Sequence, residues 1–318
     1  MTLKVHCSRA FAVLDCRQAG QFVSSLSPVV IRKRCHPFSY GHYHSPYRFF
    51  HQNSSLISSP TTFFTIPTTG DCSDNDESNT KISIRQQFTA PPGGNMSDNT
   101  GRWVWPTAHP LIRYIVEKKL QLSKSSTTTD HGTERMISIL ELGSGCGLLG
   151  MSLIATAAKS CERQQQQLQV IMTDHDIEWL ELNSKLNRRV WDSRNHHHMQ
   201  ISSLTWGSTK DIQTLQQQDH LWRNTETKIS MDLIVGSDIL YDHSSHLSLV
   251  MTLQELAIPS TEILLAYPTH RPEDEASFLS LAQDYFDIRT ESLQTPPGEA
   301  PSSPGSMTCS LATLSLKS

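Results

Sequence analysis

Three short stretches carry residue types whose spacing points to chemistry. In Ile139-Leu-Glu-Leu-Gly-Ser-Gly-Cys-Gly-Leu-Leu-Gly150, an apolar strand-like run contains the acid Glu141. It leads into glycines at 143, 145 and 147 and then into a helical pattern. Such a turn lets backbone approach a ligand closely and aims helix N-terminal amides at it. A dinucleotide fingerprint would place its third glycine at 148, where this chain has Leu148, so NAD is disfavoured. The Glu-x-Gly-x-Gly-x-Gly form suits a cofactor with an amino-acid portion, and the alternative is a tight strand-to-helix turn with no ligand. Val170-Ile-Met-Thr-Asp174 ends the next strand in a carboxylate, which can accept both hydroxyls of a ribose or serve as a cap. Asp176 beside it reads as the N-cap of a helix over 177–190. Leu204-Thr-Trp-Gly207 sets Trp206 at a strand end, suited to adenine stacking or to core packing. In Met231-Asp-Leu-Ile-Val-Gly-Ser-Asp-Ile-Leu-Tyr241, Asp238 and Tyr241 follow a buried strand. A carboxylate there is costly to desolvate without a partner, which favours a cleft over the core; Tyr241 reads as cleft-lining or as a core residue with a satisfied hydroxyl.

These stretches need a scaffold, and the intervening sequence supplies its pattern. Short β-rich runs at 136–142, 168–173, 231–236 and 261–266 alternate with helical periodicity at 147–159, 176–190, 244–257 and 273–285. That alternation predicts an α/β fold with a mostly parallel sheet covered on both faces. Phe286–Leu293 and Met307–Leu316 follow without a helix between them and predict an antiparallel closing hairpin. Ile82–Arg85 reads as a short strand, Pro91–Gly94 as a turn, and Leu111, Ile112, Ile115, Val116 and Leu120 repeat at helical spacing. The Gln-rich tracts 164–167 and 213–218 and the histidine run 196–198 read as surface loops.

The 318 residues suit one large domain with an appended segment. Residues 1–70 hold sixteen Ser/Thr and seven Lys/Arg against the single acid Asp15, for a charge of +6. The rest carries 20 basic and 30 acidic residues, −10, which disfavours a nucleic-acid partner. The N-terminal composition cannot offset the entropy of folding, so residues 1–80 are expected to be disordered, with 81–318 as the folded domain. The Arg- and Ser-rich start fits a mitochondrial transit peptide as well as an ordinary tail. Seven scattered cysteines without any Cys-x-x-Cys argue for reduced thiols and against zinc, and Cys35 with His36, His42, His44 and His51 matches no common zinc spacing. No run approaches 18 apolar residues, which rules out a transmembrane helix.

Glu141–Gly147, Thr173–Asp174, Leu204–Gly207 and Gly236–Tyr241, preceded by Thr100-Gly-Arg-Trp-Val-Trp-Pro106, resemble methyltransferase family 16. The resemblance runs from about residue 82 to 316. It implies a Rossmann-like, seven-stranded class I fold that uses S-adenosyl-L-methionine and no metal. It also implies methylation of lysine in a non-histone protein such as a chaperone or translation factor, and a cytoplasmic location unless residues 1–70 direct the chain to mitochondria. By the family pattern Trp105 covers the cofactor's methionine end, Gly143, Ser144 and Gly145 lie against it, and Asp174 holds the ribose. Trp206 and Ser237 flank the adenine, and Asp238 and Tyr241 face the acceptor. A small-molecule or histidine acceptor, or a silent scaffold, remains the alternative at this stage.

Overall fold

A computed structural model of the chain describes residues 61–65, 81–86, 100–120, 136–159, 167–191, 197–217, 231–269, 272–293 and 308–317. Its centre is a seven-stranded sheet. The strands are β3 (Met136–Leu142), β4 (Gln167–Asp174), β5 (His197–Ser203), β6 (Leu233–Ser237), β7 (Glu262–Pro268), β8 (Phe286–Leu293) and β9 (Cys309–Leu316), in the spatial order β5-β4-β3-β6-β7-β9-β8. The first five of these positions pair in parallel; β9 runs antiparallel to both β7 and β8, as the closing hairpin requires. β3 and β4 are buried along almost their whole length, which explains why they read as continuous apolar runs rather than alternating ones.

Helices cover both faces. α1 (Ala108–Tyr114), which runs on into a π-helical turn Ile115–Leu120, packs with α2 (Leu148–Lys159) and α3 (Glu178–Trp191) on one face, where Leu111, Leu149, Ile154 and Leu180 meet the sheet. α4 (Thr209–Gln216), α5 (His246–Leu256) and α6 (Pro272–Ala282) close the other through Ile212, Leu249, Val250, Leu253 and Phe278. The chain reverses its direction of travel across the sheet between β3 and β6, and the crevice at the carboxyl ends of these two strands is where an open α/β sheet receives ligands.

Several local expectations change. Thr61–Thr65, expected to lie in a disordered tail, form strand β1, which pairs antiparallel with β2 (Lys81–Arg85); Phe64 packs on the core with its ring 5.3 Å from His109. Composition averaged over seventy residues conceals a five-residue run, Thr-Thr-Phe-Phe-Thr, of strand-forming types. The remainder of 1–80, the transit-peptide reading and the 91–94 turn lie outside the described residues. The second Gln-rich tract is not a loop, because Gln213–Gln216 belong to α4, whose Ile212 and Leu215 are buried. His197 and His198 open β5 rather than sitting in a loop.

The hairpin β1–β2 is held by side chains that imitate a neighbouring strand. On α3, Asn187 and Asn183 are buried; Ser83 N–H donates to Asn187 Oδ1 (2.7 Å) and Asn187 Nδ2 donates back to Ser83 O (2.7 Å). Asn183 repeats this with Arg85, at 2.8 and 3.2 Å. Gln86, next in the chain, accepts Val104 N–H at 2.7 Å. The N-terminal hairpin is thereby joined to the segment 100–107 that crosses the crevice.

Candidate active site

All nine residues singled out from the sequence, Trp105, Gly143, Ser144, Gly145, Asp174, Trp206, Ser237, Asp238 and Tyr241, line one cleft of about 350 Å³ at the carboxyl ends of β3, β4 and β6. That volume lies within the range of small-molecule sites.

The glycine turn after β3 is shaped by its surroundings as much as by its own backbone. Gly143 has φ +61°, and a Cβ there would stand 2.8 Å from Ile239 Cγ2 and 3.3 Å from Trp206. Gly145 has φ +51°, and its Cβ would meet the Gly101 carbonyl oxygen at 2.9 Å. Both conformations favour glycine, and both close approaches leave bare backbone toward the cleft. The turn is pinned to β4 by Ser144 N–H donating to Thr173 O (2.8 Å).

Asp174, at the end of β4, is 6 % exposed and receives three donors. Gly145 N–H reaches Oδ2 (2.8 Å), Asp176 N–H reaches Oδ1 (3.1 Å), and His175 Nδ1 lies 2.8 Å from Oδ1. The Asp174 carboxylate holds the pKa of His175 above its ordinary value, because the hydrogen bond favours the imidazolium. Asp176 does cap α3, accepting Glu178 N–H at 3.1 Å, and its other oxygen pairs with Arg102 at 3.5 Å.

Glu141 lies beneath the turn, 2 % exposed, and accepts Gly150 N–H at 3.0 Å. Burial pushes its pKa up to about 8, against the lowering effect of bonds from Ser144 and Gly150 and with a smaller push from Asp174. A neutral acid at this wall can both donate and accept toward a ligand's polar atoms.

Across the cleft, Asp238 leaves β6 with φ 58°, a left-handed conformation uncommon for a residue other than glycine. Its N–H donates to Ala266 O (2.9 Å), which registers the turn against β7. It lines the cleft as expected, yet is only 8 % exposed, and its Oδ2 accepts both Thr107 N–H (3.0 Å) and the Thr107 hydroxyl. Burial raises its pKa to about 6, opposed by those two bonds. Three residues on, Tyr241 is 45 % exposed, with its hydroxyl 3.3 Å from Thr100 Oγ1.

The segment 100–107 spans the two walls. Trp105 Nε1 donates to Thr100 O (2.8 Å), the Trp103 and Trp105 rings lie 5.8 Å apart, and the Arg102 guanidinium sits 5.6 Å over the Trp179 ring. Sequence reading singled out Trp105 here and missed Thr107. Its position before α1 is that of an N-cap, but the hydroxyl makes no cap bond and serves Asp238 instead, 131 positions away, which no local signal could reveal. Thr100 was passed over for the same reason, because its partner Tyr241 lies 141 positions away; His175, bonded to its own neighbour Asp174, was missed although the contact is local. Glu141 was legible, as the acid of the glycine motif.

The strand order, with its antiparallel final pair, and the glycine turn with a carboxylate at the end of the next strand define a seven-stranded, Rossmann-like fold of the class I S-adenosylmethionine-dependent methyltransferases. A family model described as lysine methyltransferase matches residues 93–285, more than half of the chain, and the chain belongs to that family. It is 25 % identical to the protein N-terminal and lysine N-methyltransferase EFM7 of Yarrowia lipolytica, over 49 % of this chain and 57 % of that one. It is 27 % identical to the protein-lysine N-methyltransferase EFM6 of Saccharomyces cerevisiae, over 59 % and 71 %. It is 25 % identical to the protein N-lysine methyltransferase METTL21A of Xenopus tropicalis, over 58 % and 68 %. The chain thus spans little more than half the length of the Yarrowia relative.

Proposed function

We propose that this chain transfers a methyl group from S-adenosylmethionine to the side-chain amine of a lysine in a protein. The observation that carries the reading is the convergence, in one cleft, of a bare-backbone glycine turn, the Asp174 carboxylate and, opposite them, Asp238 and Tyr241. The names of the relatives favour a lysine acceptor.

The residues fit the cofactor. Gly143–Gly145 offer backbone where side chains would collide with Ile239 and Gly101, Glu141 and Trp105 bound the same end, Asp174 suits ribose hydroxyls, and Trp206 and Ser237 border the remainder. When bound, S-adenosylmethionine supplies a methyl group on a positively charged sulfur, which an uncharged amine displaces in line as the sulfur leaves with the bonding electron pair.

The acceptor must arrive without its proton, and an exposed lysine has a pKa of ~10.4. Entry into a cleft walled by Trp105 and Tyr241 desolvates the ammonium and lowers that value. Asp238 supplies the complementary part. With its pKa raised to about 6 it is ionised at neutral pH, yet it is a stronger proton acceptor than a surface carboxylate, so it can take a hydrogen bond from the amine and turn the nitrogen lone pair toward the methyl group. Thr107 holds the carboxylate in place with two donors, and Tyr241 lines the approach. Alignment of the two partners supplies much of the rate in such a displacement.

The test is incubation of the purified protein with radiolabelled S-adenosylmethionine and a cell extract, followed by acid hydrolysis. Label is expected in protein as methyl-lysine. Label found only as methyl-histidine or in small molecules would overturn the lysine assignment, and absence of any binding heat with the cofactor would overturn the methyl-transfer reading itself.

A further inference from the structure

His246, the first residue of α5, is fully buried, although nothing in the proposed chemistry employs it. Its Nε2 lies 3.2 Å from the Leu240 carbonyl oxygen and its Nδ1 lies 3.3 Å from Ser277 Oγ on α6. The ring stacks on His243, with centroids 5.2 Å apart and planes at 23°, and meets the Phe278 ring edge-on at 5.8 Å. Leu240 belongs to the turn Asp238–Tyr241, whose first residue already holds a left-handed backbone conformation.

A buried imidazole is costly unless both nitrogens are paired, and here both are. The pairing dictates the tautomer. A carbonyl oxygen only accepts, so Nε2 must carry the proton, and the neutral ring then accepts the Ser277 hydroxyl at Nδ1. Burial lowers the pKa of His246 and keeps the ring neutral, outweighing the bond to Leu240, which acts in the opposite direction.

We propose that His246 is a positioning residue: its imidazole fixes the Leu240 carbonyl from behind and so sets the turn that presents Asp238 and Tyr241 to the acceptor. The front of the turn is held by Thr107 on the Asp238 carboxylate and by Thr100 at the Tyr241 hydroxyl. Among the described residues the contact from His246 is the one that grips the turn's backbone from the α5 side, between the two residues that face the cleft. Because a displacement reaction tolerates little misalignment, a displacement of about 1 Å can cost on the order of a hundredfold in rate. The kinetic consequence rests on the methyl-transfer reading; the structural role does not.

Two measurements separate the ideas. In the intact wild-type protein, nitrogen NMR of His246 at neutral pH should show a protonated Nε2 and an unprotonated Nδ1; the opposite tautomer could not donate to Leu240 and would overturn the proposal. In variants, His246→Leu should speed amide hydrogen exchange across 238–242 tenfold or more while β6 stays protected, and lower kcat about tenfold with cofactor affinity within twofold of wild type. His246→Gln, whose amide nitrogen takes the place of Nε2, should recover most of both losses. Unchanged exchange across 238–242 in both variants would overturn the role. A wild type that binds no cofactor and transfers no methyl group, while His246→Leu still loosens 238–242, would leave the positioning intact and sink the methyl-transfer reading.

Discussion

Asp174 and Asp238 stand on opposite walls of the same cleft, each just past or at the end of a parallel strand, with nearly equal exposure of 6 % and 8 %. They differ in how the fold treats the charge. Asp174 gathers donors from three residues, all from the neighbouring turn and its own continuation. Among the described residues Asp238 has a single donor residue, Thr107, from 131 positions earlier in the chain, and burial leaves its pKa near 6. A carboxylate with many fixed donors suits a permanent binding group, whereas one with few suits a group that handles a proton. The burial of a cleft acid therefore says less about its role than the number and origin of its donors.

The contrast predicts effects that should divide cleanly between affinity and rate. The largest is for Asp174→Ala, which should weaken S-adenosylmethionine binding by about 1.5–3 kcal/mol, as expected for hydrogen bonds to a charged acceptor. Calorimetry on the folded variant measures it, and an affinity equal to wild type would place the ribose elsewhere. Asp238→Ala should do the reverse: kcat falls tenfold or more, about 1.4 kcal/mol or above, with cofactor affinity nearly unchanged. The rate should also show an acidic limb as pH falls through about 6, where Asp238 takes up its proton, and that limb should vanish from the residual activity of Asp238→Asn. Undiminished turnover in Asp238→Ala would move the reacting centre away from β6.

A smaller loss, a few-fold in kcat or about 0.5–1 kcal/mol, is expected for Tyr241→Phe, which removes the hydroxyl beside Thr100 and keeps the ring. A separate effect sharpens the comparison through stability rather than rate. Both Glu141 and Asp238 have pKa values raised in the folded state, so folding favours their protonated forms. Their contribution to stability is fully present below the unfolded values, 4.5 and 3.8, and is lost as pH rises through about 8 for Glu141 and about 6 for Asp238. Urea titrations across this range should therefore show Glu141→Gln flattening the decline between pH 4.5 and about 8, and Asp238→Asn flattening it between 3.8 and about 6. A Glu141→Gln profile parallel to wild type would mean that Glu141 is ionised in the folded protein.

Much of the molecule was readable in one dimension because its governing signals are local. The buried parallel strands appear as apolar runs, the helices as 3.6-residue periodicity, and the glycine turn as a spacing that few other conformations require. The motif positions, Trp105 through Tyr241, could be named because they match the pattern of methyltransferase family 16, and the sheet order then brings them to one edge. The misses have a common cause. β1 gains its stability from pairing with β2 and from Phe64 on the core, so average composition concealed it. Gln213, Thr214 and Gln216 are polar, but Ile212 and Leu215 supply the buried face that makes α4 a helix.

What the order of residues determined by itself was the fold class, the face each element buries and the set of groups available at the cleft. What only tertiary structure decided was the state of those groups: that Asp238 is held by a threonine 131 positions earlier, that Glu141 is buried, and that His246 reaches the Leu240 carbonyl behind Asp238. Periodicity and turn chemistry act over a few residues and leave their mark on the sequence. Desolvation and hydrogen bonding between distant segments depend on which surfaces meet in space, so the protonation and orientation of the cleft residues could be read only from the folded chain.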